Sequence, residues 1–288
     1  GRGGVSLIVG ALLLVAQWLI LAGSLGLVAI FAAIIRRHPA LYTFTMGGGS
    51  LVWALGNLLW CLGWPVFLVV FWWAAFLVVT IAGERLELAR LQQVTGAAQA
   101  TFLLLLGILL TGLLLLGWSF DGGVRLFGLG LAGLALWLGR HDIARRTVKQ
   151  AGLTRFIAIC LLTGYVWLGI SGLSAMWFGG VPVGPQYDAT LHAFFLGFVF
   201  AMIFAHAPII FPAVLGARMA YRPLFYAHVV LLQVTLVVRF IGDAAGWSAG
   251  RQVGGLLNAV TLLLFLVNTV SALQSPPERA GTAQGRGA

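Results

Sequence analysis

Long apolar runs alternate with short polar breaks along the whole chain. Nine runs of helix length can be drawn, at about 5–35, 41–62, 65–83, 98–117, 125–139, 156–177, 189–215, 224–241 and 253–273. A helix needs about 20 mostly apolar residues to cross the hydrocarbon core, whereas a transmembrane strand needs about ten with alternating polarity. The runs are Leu-rich and do not alternate, so they predict membrane-spanning helices. The first is long enough to tilt, or to join an interfacial piece to a helix. The fifth is short enough to be partly re-entrant. Gly63-Trp64-Pro65 predicts a tight hairpin between the second and third. The polar stretch from Ser275, SPPERAGTAQGRGA, predicts a disordered tail. The expected fold is therefore an all-α polytopic bundle: one transmembrane domain over 1–274 and a cytoplasmic tail over 275–288.

Composition supports the pattern. The chain is 61% hydrophobic and 8% charged, against roughly 25% charged residues in a soluble domain. Its mean hydropathy is +1.02. The 39 glycines suit helices that approach closely in lipid. MGGGS at 46–50 lacks the lysine and preceding strand of a phosphate loop, so close helix approach explains it. Cys61 and Cys160 lie in apolar runs without CxxC pairing and read as small buried apolar residues. Trp118, Trp177, Trp247 and Tyr187 sit near span ends and read as interfacial anchors.

A formal charge of +10 raises nucleic acid as a partner, but the distribution excludes it. The 17 basic residues divide 13 to 4 between the two sides of a nine-span layout, alternating loop by loop. Such a bias sets membrane orientation. It places the C-terminus in the cytoplasm and the N-terminus outside, and makes the bilayer the partner. The oligomeric state is not written in the sequence. The chain opens GRGG without Met, which with an external N-terminus suggests absent upstream spans. No repeat of Gly and Pro breaks marks two matched halves.

The candidate chemistry lies in the seventh and eighth runs. His192 and His206 are fourteen residues apart, about 21 Å along a helix and 40° short of four turns, so an ideal helix puts them on nearly one face. Ionisable side chains inside a span mark function by default, and imidazole is the commonest metal ligand. Pro208 and Pro212 follow and predict a kink. His228, early in the antiparallel eighth span, should reach the depth of His206. That pair could ligate a b-type haem from two sides, ligate copper, relay protons, or only hydrogen-bond within the bundle. Near the other surface, Asp188, His192, Arg239 and Asp243 form an expected cluster. Arg239 there could hold a haem propionate and the carboxylates could orient His192, or all four could be a salt-bridge network. His38 and His141 read as solvated. Glu84, Glu87 and Arg90 read as local i, i+3 pairs. No acid/base pair or substrate pocket is readable, so catalysis is not established.

Three segments carry a family likeness: HAFFLGFVFAMIFAHAPIIFP (192–212), RHDIARRTVKQAGLTRFIAICLLTGYVWL (140–168) and WWAAFLVVTIAGERLELARL (72–91). They resemble bacterial polytopic membrane proteins distantly similar to the NnrS family, which contain haem and copper and are linked to nitric oxide stress. The resemblance implies a multi-pass protein of the bacterial inner membrane, with haem b or copper at His192, His206 and His228. It also implies a role in electron transfer, with a membrane redox partner, or in nitric oxide response. A secondary or proton-coupled transporter and a membrane-assembly scaffold are the alternatives.

Overall fold

The computed structural model describes residues 2–89 and 95–274, with side chains from Leu12 to Leu273 apart from 90–94. Nine long helical segments follow one another where nine apolar runs were expected. They are α1 (Arg2–Arg37), α2 (Leu41–Cys61), α3 (Val66–Ala89), α4 (Gly96–Leu115), α5 (Phe120–His141), α7 (Gly152–Phe178), a composite seventh span, α10 (Phe225–Ala244) and α11 (Ser248–Ser271). The composite span joins α8 (Pro185–His192), a π-helical segment (Ala193–Val199) and α9 (Phe200–Leu215). A short α6 (Ala144–Thr147) sits between α5 and α7. The chain is an integral membrane protein, and among the described residues eight of these segments are long and apolar enough to cross a bilayer. The ninth, α2, has span length, but its four glycines, Ser50 and Asn57 dilute its hydropathy.

Two expectations are corrected. The fifth span is not re-entrant: α5 has 22 residues and full crossing length. The first is one continuous helix rather than an interfacial piece plus a helix. The expected tail from Ser275 lies outside the described residues.

Local chemistry sets the helix ends. Thr95 and Ser119 cap α4 and α5 by accepting from Ala98 N and Gly122 N, bonds that satisfy otherwise orphaned amides. The α2–α3 turn closes with Gly63 at φ +90°, where the amides of Gly63 and Trp64 donate back to Trp60 O and Leu59 O. This is the left-handed glycine cap that ends many helices.

Glycines also let helices touch backbone to backbone. Gly128 on α5 faces Gly172 on α7: a Cβ on either would lie 2.6 Å from the other's carbonyl oxygen. Gly49 on α2 would meet Thr80 on α3, and Gly47 would meet Ile35 on α1, which gives the glycine run its close-approach role. The interior is filled by Phe102, Phe127, Phe156, Phe194, Phe198 and Phe204. The perimeter is apolar: Leu13, Trp18, Leu136 and Val166 are exposed. In water such a belt would aggregate; in a bilayer it faces lipid. Trp118 and Trp177 stand exposed beside helix ends. A two-residue antiparallel ladder pairs Arg218 with Gln274 and Met219 with Leu273.

Candidate functional site

The composite seventh span carries the polar chemistry. Pro185 starts α8, a position where its missing N–H costs nothing. After His192 the helix widens into seven residues of π-helix, and Phe200 N donates to Phe195 O, five residues back. Gly197 lies inside this segment, where an added Cβ would fall against the Trp167 indole. That indole donates to Gln233 Oε1 on α10 at 2.6 Å. The α-helical form resumes through Pro208 and Pro212.

This geometry overturns the expectation that His192 and His206 share a face. A wide turn takes up about one extra residue, or roughly 100° of rotation. Asp188 points to the arginines of α10 and α11, while His206 points to α3.

At the Asp188 end, four charged side chains form a closed network. Arg239 Nε donates to Asp243 Oδ2 at 2.8 Å, and Arg251 Nε lies 3.0 Å from Asp243 Oδ1. Asp188 Oδ2 is paired with Arg251 and lies 3.6 Å from Arg239 Nη2. Arg239 also donates to the Arg251 carbonyl at 3.0 Å. The Asp243 side chain is fully buried and that of Arg239 is 13% exposed. Three members of the expected cluster thus meet. The fourth is Arg251, not His192. Among the described residues His192 bonds only the Asp188 carbonyl, through Nδ1 at 2.7 Å. Arg251 had a signal in the sequence: Arg239 and Arg251 fall at the end the positive-inside bias should leave nearly free of charge. Two cations there need the two carboxylates at that end. A third pair at that end joins Asp121 to Arg125 at 2.8 Å.

At the arginine-rich end, His206 meets two residues of α3. Its Nε2 lies 3.2 Å from Glu84 Oε1 and 3.1 Å from Arg85 Nη2. Arg85 donates to Glu84 at 2.5 Å, and the His206 Nδ1–H donates to Met202 O at 2.6 Å. With a proton, Nε2 donates to Glu84; without one, it accepts from Arg85. Arg85 is only 5% exposed and its Nε has no partner among the described residues. Glu84 therefore pairs with its neighbour Arg85 and with His206 rather than at i, i+3 spacing, and Arg90 lies outside the described residues. Sequence periodicity could not show a contact spanning about 120 positions. On α5 and α7, Tyr165 donates to Asp142 Oδ2 at 2.7 Å. His141 is not simply solvated: it stacks on Trp137 at 4.7 Å and bonds its carbonyl.

His228 is buried among Phe156, Phe204, Phe225 and Phe265. Asn268 Nδ2 lies 3.3 Å from its Nδ1, and its Nε2 has no partner among the described residues. His206 and His228 share none of these contacts. Donation from Asn268 to Nδ1 leaves the ring proton on Nε2, the reverse of a ligating imidazole, which donates its second N–H outward. A haem held jointly by His206 and His228 does not fit this arrangement. Among the described residues no group of three His, Cys, Asp or Glu side chains could hold a metal ion. Both cysteines are free, Cys160 buried and Cys61 half-buried.

The family model described as "Domain of unknown function (DUF8744)" matches residues 1–274, and the chain belongs to that family. No curated protein and no solved structure matches it.

Proposed function

We propose that this member of the family is a secondary carrier, proton-coupled at His206, whose moving element is the interrupted seventh span. One observation carries the reading. A single helix, broken by a π segment, is clamped at each end to different neighbours by half-buried charged groups, each backed by a buried one, Asp243 or Arg85. Asp188 ties it to α10 and α11; His206 ties it to α3. Buried charges in a membrane are costly and are kept for function, and π segments recur at functional sites. The His206 ring has one partner for each protonation state, which is the two-state element a coupled carrier needs.

The test is distance measurement between spin labels on Val183→Cys and Val253→Cys, with Cys61 and Cys160 replaced by alanine, in proteoliposomes. These positions flank the Asp188 network, far from Glu84. Two distance populations are expected, and Glu84→Gln should shift their ratio several-fold. A single distance, unmoved by Glu84→Gln, overturns the carrier reading and favours a scaffold.

Haem or copper binding is the second reading, and His192 favours it. Its Nδ1 is held by a backbone carbonyl and its Nε2 makes no hydrogen bond among the described residues, the arrangement of a ligand imidazole. Arg239 stands in the adjacent network, where it could meet a propionate. Absorption spectra with and without dithionite, together with metal analysis, decide it. A Soret band or stoichiometric copper that disappears in His192→Ala but survives in His228→Ala supports this reading. Colourless, metal-free protein from haem-replete cells removes it. The NnrS likeness, the redox partner and a bacterial inner-membrane location stand or fall with the same measurement and with fractionation of the host.

A further inference from the structure

A groove of about 820 Å³ runs between α5 and α7, lined along its length by Ala135, Gly139 and Gly169 and bordered by Leu136, Val166 and Leu173. Those last three are strongly exposed, so the groove opens sideways toward the bilayer. From Leu162 to Leu173 it extends about 16 Å along α7, close to half of a hydrocarbon core about 30 Å thick. Arg140 and Arg145 line its one polar end. Arg140 lies in the last turn of α5, at the level where the span meets the headgroups.

The two arginines are held there without a counter-charge. Arg145 Nη1 donates to the Arg140 carbonyl at 3.1 Å. Among the described residues neither pairs with a carboxylate. The acid between them, Asp142, is turned inward: it accepts from Tyr165 Oη and from Ala144 N, both at 2.7 Å. Asp142 is buried, so its charge fixes the turn rather than neutralising the arginines. Tyr165 joins the two features, since it also lines the groove.

We infer that this groove is a binding site for an anionic phospholipid of the surrounding leaflet, one acyl chain lying along α5 and α7 and the phosphate between Arg140 and Arg145. The shape fits a chain, the depth fits one leaflet, and the unpaired cations fit the headgroup. A second copy of this chain is the poorer occupant, because a two-fold contact would bring the same unneutralised arginines together.

The test uses the purified full chain in mild detergent, titrated with phosphatidylglycerol or phosphatidylcholine and followed by native mass spectrometry and thermal unfolding. Phosphatidylglycerol should be retained and should raise the melting temperature; phosphatidylcholine should do neither to the same degree. Arg140→Gln with Arg145→Gln should weaken retention by about five-fold per arginine. Arg36→Gln with Arg37→Gln removes two exposed arginines from the same end and should leave retention unchanged. Gly169→Leu should block the groove with both arginines in place. Equal losses from the two arginine pairs would mean diffuse attraction and overturn the site, as would indifference to lipid charge. A dimer whose mass persists in saturating phosphatidylglycerol and is lost in Gly169→Leu would assign the groove to a second copy instead.

Discussion

Asp243→Ala is expected to destabilise the protein by about 3–5 kcal/mol, the usual cost of removing one partner from a buried ion pair. The carboxylate is fully buried and faces two guanidinium groups. Removing it leaves Arg239, itself nearly buried, with the Arg251 carbonyl and, as counter-charge, the longer 3.6 Å contact to Asp188. Loss of monodisperse protein on fluorescence-detected size exclusion, or a melting temperature far below the parent, is the readout. The double variant Arg239→Met with Asp243→Leu separates charge from shape. It removes one charge of each sign and leaves Asp188 paired with Arg251, so most of the lost stability should return. A double variant as unstable as Asp243→Ala would mean that the groups matter for packing rather than for charge balance.

The second large effect concerns the crossing of α5 and α7. Gly172→Ala should cost about 1–3 kcal/mol by overpacking. The new Cβ would sit 2.6 Å from both Ala132 N and Gly128 O. Both are backbone atoms, so relief requires moving a helix rather than a side chain. Gly169→Ala, less than one turn away, is the internal control: its Cβ would touch only Ala135 Cβ at an ordinary 3.6 Å. That change should be neutral or stabilising by up to about 1 kcal/mol, because alanine is the better helix former. Thermal unfolding of both variants in one detergent checks the contrast. Equal effects would show that the two helices are not held at the Gly128–Gly172 contact.

The spans were legible because length and apolarity are summed over about twenty residues, and one glycine or serine does not hide them. The diluted α2 was still readable from its position between two breaks. Asp188, Arg239 and Asp243 were legible as a cluster because topology brings the ends of the seventh and eighth spans together. The π segment was not legible. One wide turn leaves no periodic trace in a helix that is apolar on most sides, so the fourteen-residue spacing of His192 and His206 was read with the wrong phase. The Glu84–Arg85–His206 contact was equally hidden, since nothing in a single sequence says that α3 lies against α9. His228 shows a third kind of limit. Its depth was readable, but its enclosure by four phenylalanines from three other segments and its own helix was not. Arg251 could have been found by counting charge at the sparsely charged end, where each cation has to meet an anion.

The short ladder between Arg218–Met219 and Leu273–Gln274, extended by the Ala220 N to Ala272 O bond of 3.1 Å, has a mechanical meaning. It fastens the exit of α9 to the end of α11 through backbone groups alone, so proline is the substitution that takes a donor from it. On the carrier reading proposed above, the interrupted span is a lever whose fulcrum lies just beyond Leu215. Any given tilt moves the Pro185 end farthest and the His206 end least. On that reading, a small change at His206 is geared up into a larger one at Asp188, near the other end of the span.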